Sequence, residues 1–182
     1  MAHADTIDGA TGPYVAPSGQ DAPVALNQWY TFGFGDVGSS FVNGTGFVLG
    51  TDPTSIAAPD PAWTFTLSSN ATLIVVDGFL SGDQFNVTNS GVSLGNTSAP
   101  ISGADCGSDI TACLSNPDMS EGMFTLAAGT YSIDGTAIAS VSGGGAAFFE
   151  VTTTAVPEPG SLGLLGIGLL GLALVARRRK VV

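Results

Sequence analysis

Trp63-Thr64-Phe65-Thr66-Leu67 alternates large apolar and hydroxyl side chains with a strict period of two. A pleated strand sends successive side chains to opposite faces, so this pattern turns one face to a core and the other to water. The signature repeats along the chain. Trp29 to Phe34 alternates aromatic and small residues, and Phe41 to Leu49 follows it. Leu73 to Val76 is continuously apolar, as a central strand is when both of its faces are covered. Phe85 to Thr88, Val92 to Leu94, Gly122 to Leu126, Tyr131 to Ile133 and Ala146 to Thr153 complete the set. Gly, Asn, Asp, Ser or Pro stands at nearly every break, where turns need them. No stretch before residue 157 sustains a 3.6-residue period, which confines helix to a turn near Asp109 to Ser115. The expected class is all-β, a single β-sandwich or jelly roll over residues 25–155. One core is the natural count for a segment of this size.

Charge divides the chain sharply. Of the 15 Asp and Glu, all but Glu158 precede Pro157, whereas all 4 Lys and Arg follow it, as Arg177, Arg178, Arg179 and Lys180. The large segment thus has no basic side chain and a strongly acidic surface, which repels phosphate backbones and argues against a nucleic-acid partner. Gly, at 26 residues, is about twice its average usage of roughly 7%. Only 10% of residues are charged, too few for exposed helices laced with ion pairs.

The two ends carry the addressing signals. At the start, Ala2-His3-Ala4 has the small-x-small form of a signal-peptidase site without the apolar region that normally precedes one. Residues 1–4 therefore read as the remnant of a leader whose true start codon lies upstream, with a mature chain from Asp5 and an extended segment over 5–24. At the other end, Val156-Pro157-Glu158-Pro159 is followed by an apolar, glycine-dotted stretch from Gly160 to Ala176 and then by the four cations. As a helix those 17 residues would span roughly 25 Å at about 1.5 Å per residue. A hydrocarbon core is about 30 Å thick, and long basic side chains snorkel to make up such a difference. Gly160, Gly163, Gly166, Gly168 and Gly171 lower helix propensity and suit a temporary anchor. Because Lys and Arg stay on the cytoplasmic side, the charge asymmetry places the C-terminal end inside and the acidic part outside.

Over residues 156–180 the Val-Pro-Glu-Pro motif, the Gly/Leu-rich span and the terminal Arg cluster resemble the PEP-CTERM sorting signal of Gram-negative bacteria, a tail also labelled the ice-binding protein C-terminal domain. The resemblance implies export, retention in the inner membrane and cutting near the motif by an exosortase, a membrane cysteine transpeptidase, in a setting of extracellular polysaccharide and biofilm. Carried onto this chain, Pro157, Glu158 and Pro159, with Val156 before them, would be the recognition motif, and Arg177, Arg178 and Arg179 with Lys180 the retention signal. Flanking prolines forbid helix and keep the motif extended and accessible. More loosely, Phe79 to Val87, Gly91 to Thr97, Cys113 to Asp118 and Gly143 to Phe149 resemble the ectodomain of uncharacterised PEP-CTERM proteins, which brings no activity with it.

Cys106 and Cys113 are the only cysteines. In an exported chain a lone pair is expected to form a disulfide, worth roughly 2.5 kcal/mol for so short a loop on the chain-entropy model. Two Cys without His make a poor metal site.

The inventory leaves little for catalysis. His3 is the only His and lies in the expected cleavage site, so a Ser-His-Asp triad, a His-built zinc site, a lysine Schiff base and an arginine phosphate clamp are excluded from the acidic segment. Carboxylates remain. Asp77, Asp83, Glu121 and Glu150 are the candidates lying on or beside strands, but their spacing forms no motif, so no catalytic residue and no cofactor is assigned. Ca²⁺ is the ion that oxygen ligands would suit, although no Asp-x-Asp-x-Asp run names its site and no metal ligand is assigned. Sequons stand at Asn43, Asn70, Asn86 and Asn96. Trp29, Tyr30, Trp63 and Tyr131 could stack on sugars, although at strand positions they read as core. Ice binding is disfavoured, since Thr64, Thr66, Thr152, Thr153 and Thr154 are too few for a regular face. The expected function is a non-enzymatic cell-surface or matrix protein; an exopolysaccharide-binding module is the alternative, and a carboxylate glycosidase the third reading.

Overall fold

In a computed structural model the chain is described over residues 22–153, which form two packed β-sheets. In chain order the elements are β1 (Ala22–Pro23), β2 (Tyr30–Phe34), β3 (Phe41–Val42), β4 (Ile56–Ala57), β5 (Trp63–Leu67), β6 (Ala71–Asp77), β7 (Gln84–Asn89), β8 (Val92–Asn96), α1 (Ile110–Ser115), β9 (Glu121–Leu126), β10 (Gly129–Ala139) and β11 (Gly145–Thr153). One sheet runs β1-β5-β10-β7-β8. The other runs β3-β2-β11-β6-β9, with β4 paired to β2. The all-β expectation holds, and β11 lies at the centre of the six-stranded sheet.

The pattern in β5 is borne out. Trp63, Phe65 and Leu67 are buried, while Thr64 and Thr66 face outward. Trp63 is fully buried at the centre of the core, stacked on Phe149 with ring centroids 4.0 Å apart and on Phe41 at 5.8 Å. Its Nε1–H donates to the Pro59 carbonyl at 2.9 Å, so the polar end of a deeply buried ring is satisfied. Phe32, Phe85, Leu73 and Ile133 close the same core from both sheets.

A second apolar cluster covers the outer face of the six-stranded sheet, which makes the fold thicker than a simple sandwich. Trp29, Val76, Ile110, Cys113, Met119 and Phe148 compose it. The covering layer is built from the long connections around residues 43–58 and 97–120. This explains why β2 is buried on both faces: Tyr30, Phe32 and Phe34 belong to the main core, while Thr31 bonds Ser55 and Gly33 lies beneath Phe47.

Phe41 to Leu49 is not one strand. Pairing stops after Val42, because Asn43 Oδ1 accepts the Thr45 N–H and turns the chain. A Cβ at the next residue, Gly44, would collide with the Thr31 carbonyl, so only glycine permits the crossing. Tyr131 to Ile133 proves to be a piece of the first half of the eleven-residue β10, and two-residue strands β1 and β4 were not read from the sequence. Strand β1 draws Ala22 and Pro23 into the sheet, just ahead of the expected start at residue 25. No helix among the described residues is long and apolar enough to cross a membrane; the expected span at 160–176, the leader remnant at 1–4 and the sorting signal from 156 lie outside them.

Candidate functional site

Two places stand out, at opposite ends of the sandwich. At one end Asp77 closes β6 on the core side, opposite Ala147 in register, and is fully buried. Its Oδ1 accepts the Gly78 N–H at 2.9 Å and its Oδ2 the Asp83 N–H at 3.2 Å, so the carboxyl ties the 77–83 turn together. Asp83, 4% exposed, accepts the Val141 N–H at 3.2 Å through Oδ1. Removal from water pushes the Asp77 carboxyl up to about 8, and the Asp83 charge adds to the rise. Asp83 is raised for the same first reason, with bonds from Ser140 and Val141 opposing it.

A pocket of about 110 Å³ opens beside this pair, walled by Phe47, Val48, Phe79 and Leu80, and Asp83 is the ionisable residue in its lining. Phe79 adopts φ +61°, a left-handed conformation that bulky residues avoid. It is held there because its N–H donates to the Gly107 carbonyl while its own carbonyl accepts the Cys106 N–H. Cys106 and Cys113 form a disulfide, with Cα atoms 5.1 Å apart. The cross-linked loop therefore clamps the turn that carries the two aspartates.

The four carboxylates singled out from sequence do not converge. Glu121 pairs in register with Val76 and Glu150 with Ile74, on the outer face of the six-stranded sheet, and burial raises both. Asp77 and Asp83 do meet, but Asp77 is sealed from solvent and its oxygens accept backbone N–H groups. Among the described residues no three His, Cys, Asp or Glu gather as a metal would require. Trp29, Tyr30 and Trp63 are core residues with no ring face open to solvent, and Tyr131 is half-buried with its ring stacked on Phe65. Of the sequons, Asn43 donates its amide to Asp60 and Asn86 donates to Ser93 and Asn96, while Asn70 and Asn96 are exposed.

The other end is where the described chain stops. Thr153 finishes β11 and is locked by Asn27, whose own φ is +58°. The Thr153 N–H donates to Asn27 Oδ1 at 2.8 Å, Asn27 Nδ2 donates to Thr153 Oγ1 at 3.0 Å, and the Asn27 N–H donates to the Val151 carbonyl at 2.8 Å. Sequence reasoning missed this clamp, because its partners are 126 positions apart. An Asn tolerates the left-handed region better than other non-glycine residues, and that was the one available signal.

A recognisable sequence signal begins immediately beyond the clamp. Residues 155–180 match the PEP-CTERM protein-sorting motif, which bears out the resemblance read from Val156 to Lys180. The chain thus carries an exosortase-targeting signal, beginning two residues after the last one described. No curated protein and no solved structure matches the chain.

Proposed function

We propose that this is an exported cell-surface or extracellular-matrix protein, a disulfide-clamped β-sandwich with no catalytic activity of its own. On this reading Gly160 to Ala176 lodge in the inner membrane and Arg177 to Lys180 stay on its cytoplasmic side. An exosortase-type enzyme then releases the domain near Pro157-Glu158-Pro159. The observation that carries the reading is the sorting motif at residues 155–180, joined directly to the central strand of the folded body. A domain whose last strand is paired on both sides can be cut free of its tail without losing a sheet contact.

The experiment is to follow location and mature mass of the wild type, of a chain truncated after Val156, and of a Pro157→Ala, Pro159→Ala double variant. Membrane retention and a shortened mature form are expected for the wild type, and loss of both for the truncated chain. The double variant is expected to be retained but uncut. The same location for all three, with the wild type and the double variant both recovered at full length, would refute the proposal.

A second reading, exopolysaccharide binding, is favoured by one feature. The outer face of the five-stranded sheet presents Thr64, Thr66, Thr130, Ser132, Asn86 and Thr88, hydroxyls and amides that suit polyols. Retardation of the purified domain in gels containing the exopolysaccharide, abolished by Thr66→Lys with Thr88→Lys, would support it. Identical migration with and without the polymer would remove it.

A further inference from the structure

Among the described residues, the end of the sandwich that holds Thr153 differs in charge from the rest. Register fixes which loops share this end: Thr153 pairs with Ala71 and Ala71 with Leu126, while Leu67 pairs with Gly129 in the other sheet. Leu26 to Gln28, Ser68 to Asn70 and Ala127 to Gly129 therefore surround the exit of the chain. None of these loops carries an ionisable side chain. Asn27, Ser68, Asn70, Ala127, Ala128 and Gly129 are all exposed.

Among the described residues the carboxylates lie elsewhere: Glu121 pairs with Val76 near the opposite end, Asp118 precedes it, and Asp60 precedes β5 on the side away from Gly129. Asp36, Asp77 and Asp83 are at the opposite end, Asp134 and Glu150 sit on the two outer sheet faces, and Asp52, Asp105 and Asp109 belong to the covering layer. No Lys or Arg offsets them before Arg177. Among the described residues, the sides of the sandwich are thus repelled by an anionic surface, and the loops around the chain exit are not.

Tether length adds a second constraint. Seven residue steps separate Thr153 from Gly160, a reach of at most about 25 Å at about 3.6 Å per residue. Strand β11 itself is roughly as long, at about 3.3 Å per residue. With Asn27 fixing the exit point, the domain has no slack to turn its opposite end toward a bilayer that holds the tail.

We infer that the neutral end formed by Leu26–Gln28, Ser68–Asn70 and Ala127–Gly129 is a membrane-facing surface, set against lipid headgroups while the tail is lodged. The inference rests on the membrane retention proposed above and adds an orientation to it. Small uncharged loops let the body approach anionic headgroups without repulsion, while the acidic end, with its pocket and disulfide loop, points away.

The test uses the full chain in phosphatidylcholine vesicles containing phosphatidylglycerol and a headgroup-nitroxide lipid. Single cysteines at Asn70→Cys, Ala128→Cys and, at the opposite end, Val37→Cys would each carry a fluorophore. Quenching at positions 70 and 128 with none at 37 is the expected result. Equal quenching at all three, in vesicles that float with protein attached, would overturn the orientation while leaving retention intact. Failure to float would overturn the retention reading and this inference with it. Quenching at 70 and 128 that appears only after a membrane-embedded processing enzyme is added would assign the surface to a protein and contradict the lipid assignment.

Discussion

At Asp77, burial and a neighbouring carboxylate both favour the neutral acid, so protonation and folding are linked. The group titrates near 3.8 in the unfolded chain and near 8 in the folded one. Between those values unfolding releases a proton, so this contribution to stability is complete below the lower value and is lost as pH rises through the upper one. Asp83, Glu121, Asp134 and Glu150 shift in the same direction, which reinforces the slope. Urea unfolding at the two ends of the range is expected to show a domain more stable in mild acid, with Asp77→Asn losing much of the difference. An undiminished slope in that variant would contradict the assignment. Gly44 offers a purely steric test at the same scale: Gly44→Ala drives a methyl group into the Thr31 carbonyl and is expected to cost about 3 kcal/mol or more by denaturation. Gly46→Ala, with open space around its Cβ but φ +89°, is expected to cost less, about 1 kcal/mol.

Among the elements, β5 was legible because its alternation reports a local fact, the side of a pleat, and β11 because its apolar run, buried on both faces from Ala146 to Phe149, stands between turn residues. The short strands β1 and β4 were not, since two residues hold no period and both pair by parallel registers with distant partners. The false extension of β3 to Leu49 has the same origin: Phe47 and Val48 are apolar, but Phe47 covers Gly33 on the outer face of β2 and Val48 is exposed, so neither continues a strand. Asp77 and Asp83 were singled out among the strand-side carboxylates, but that these two meet had no local signal, and neither had the Asn27 clamp, whereas the tail motif was readable because its signal is contiguous. Two predictions belong to this scale. Replacing Cys106 and Cys113 by Ser is expected to cost about 2.5 kcal/mol and to raise amide exchange in the 77–83 turn, because Phe79 loses its rigid partner. Asn27→Ala is expected to leave the main core intact while the Thr153 amide loses its exchange protection, since the strand end frays when its clamp goes. Unchanged exchange at Thr153 would mean that sheet pairing alone holds β11.

For the whole molecule, the central claim is a division of labour between a self-sufficient acidic sandwich and a contiguous signal that begins where its central strand ends. The main core draws on both sheets, and the sorting motif starts at residue 155, beyond the last paired residue. The most direct measurement is the intact mass of the protein recovered from the cell surface or medium. The account predicts a chain that ends within or just after Val156 to Pro159, with its Cys106–Cys113 disulfide formed and the Gly160 to Lys180 segment gone. Recovery of a chain retaining Arg177 to Lys180, free of lipid and uncut, would contradict it.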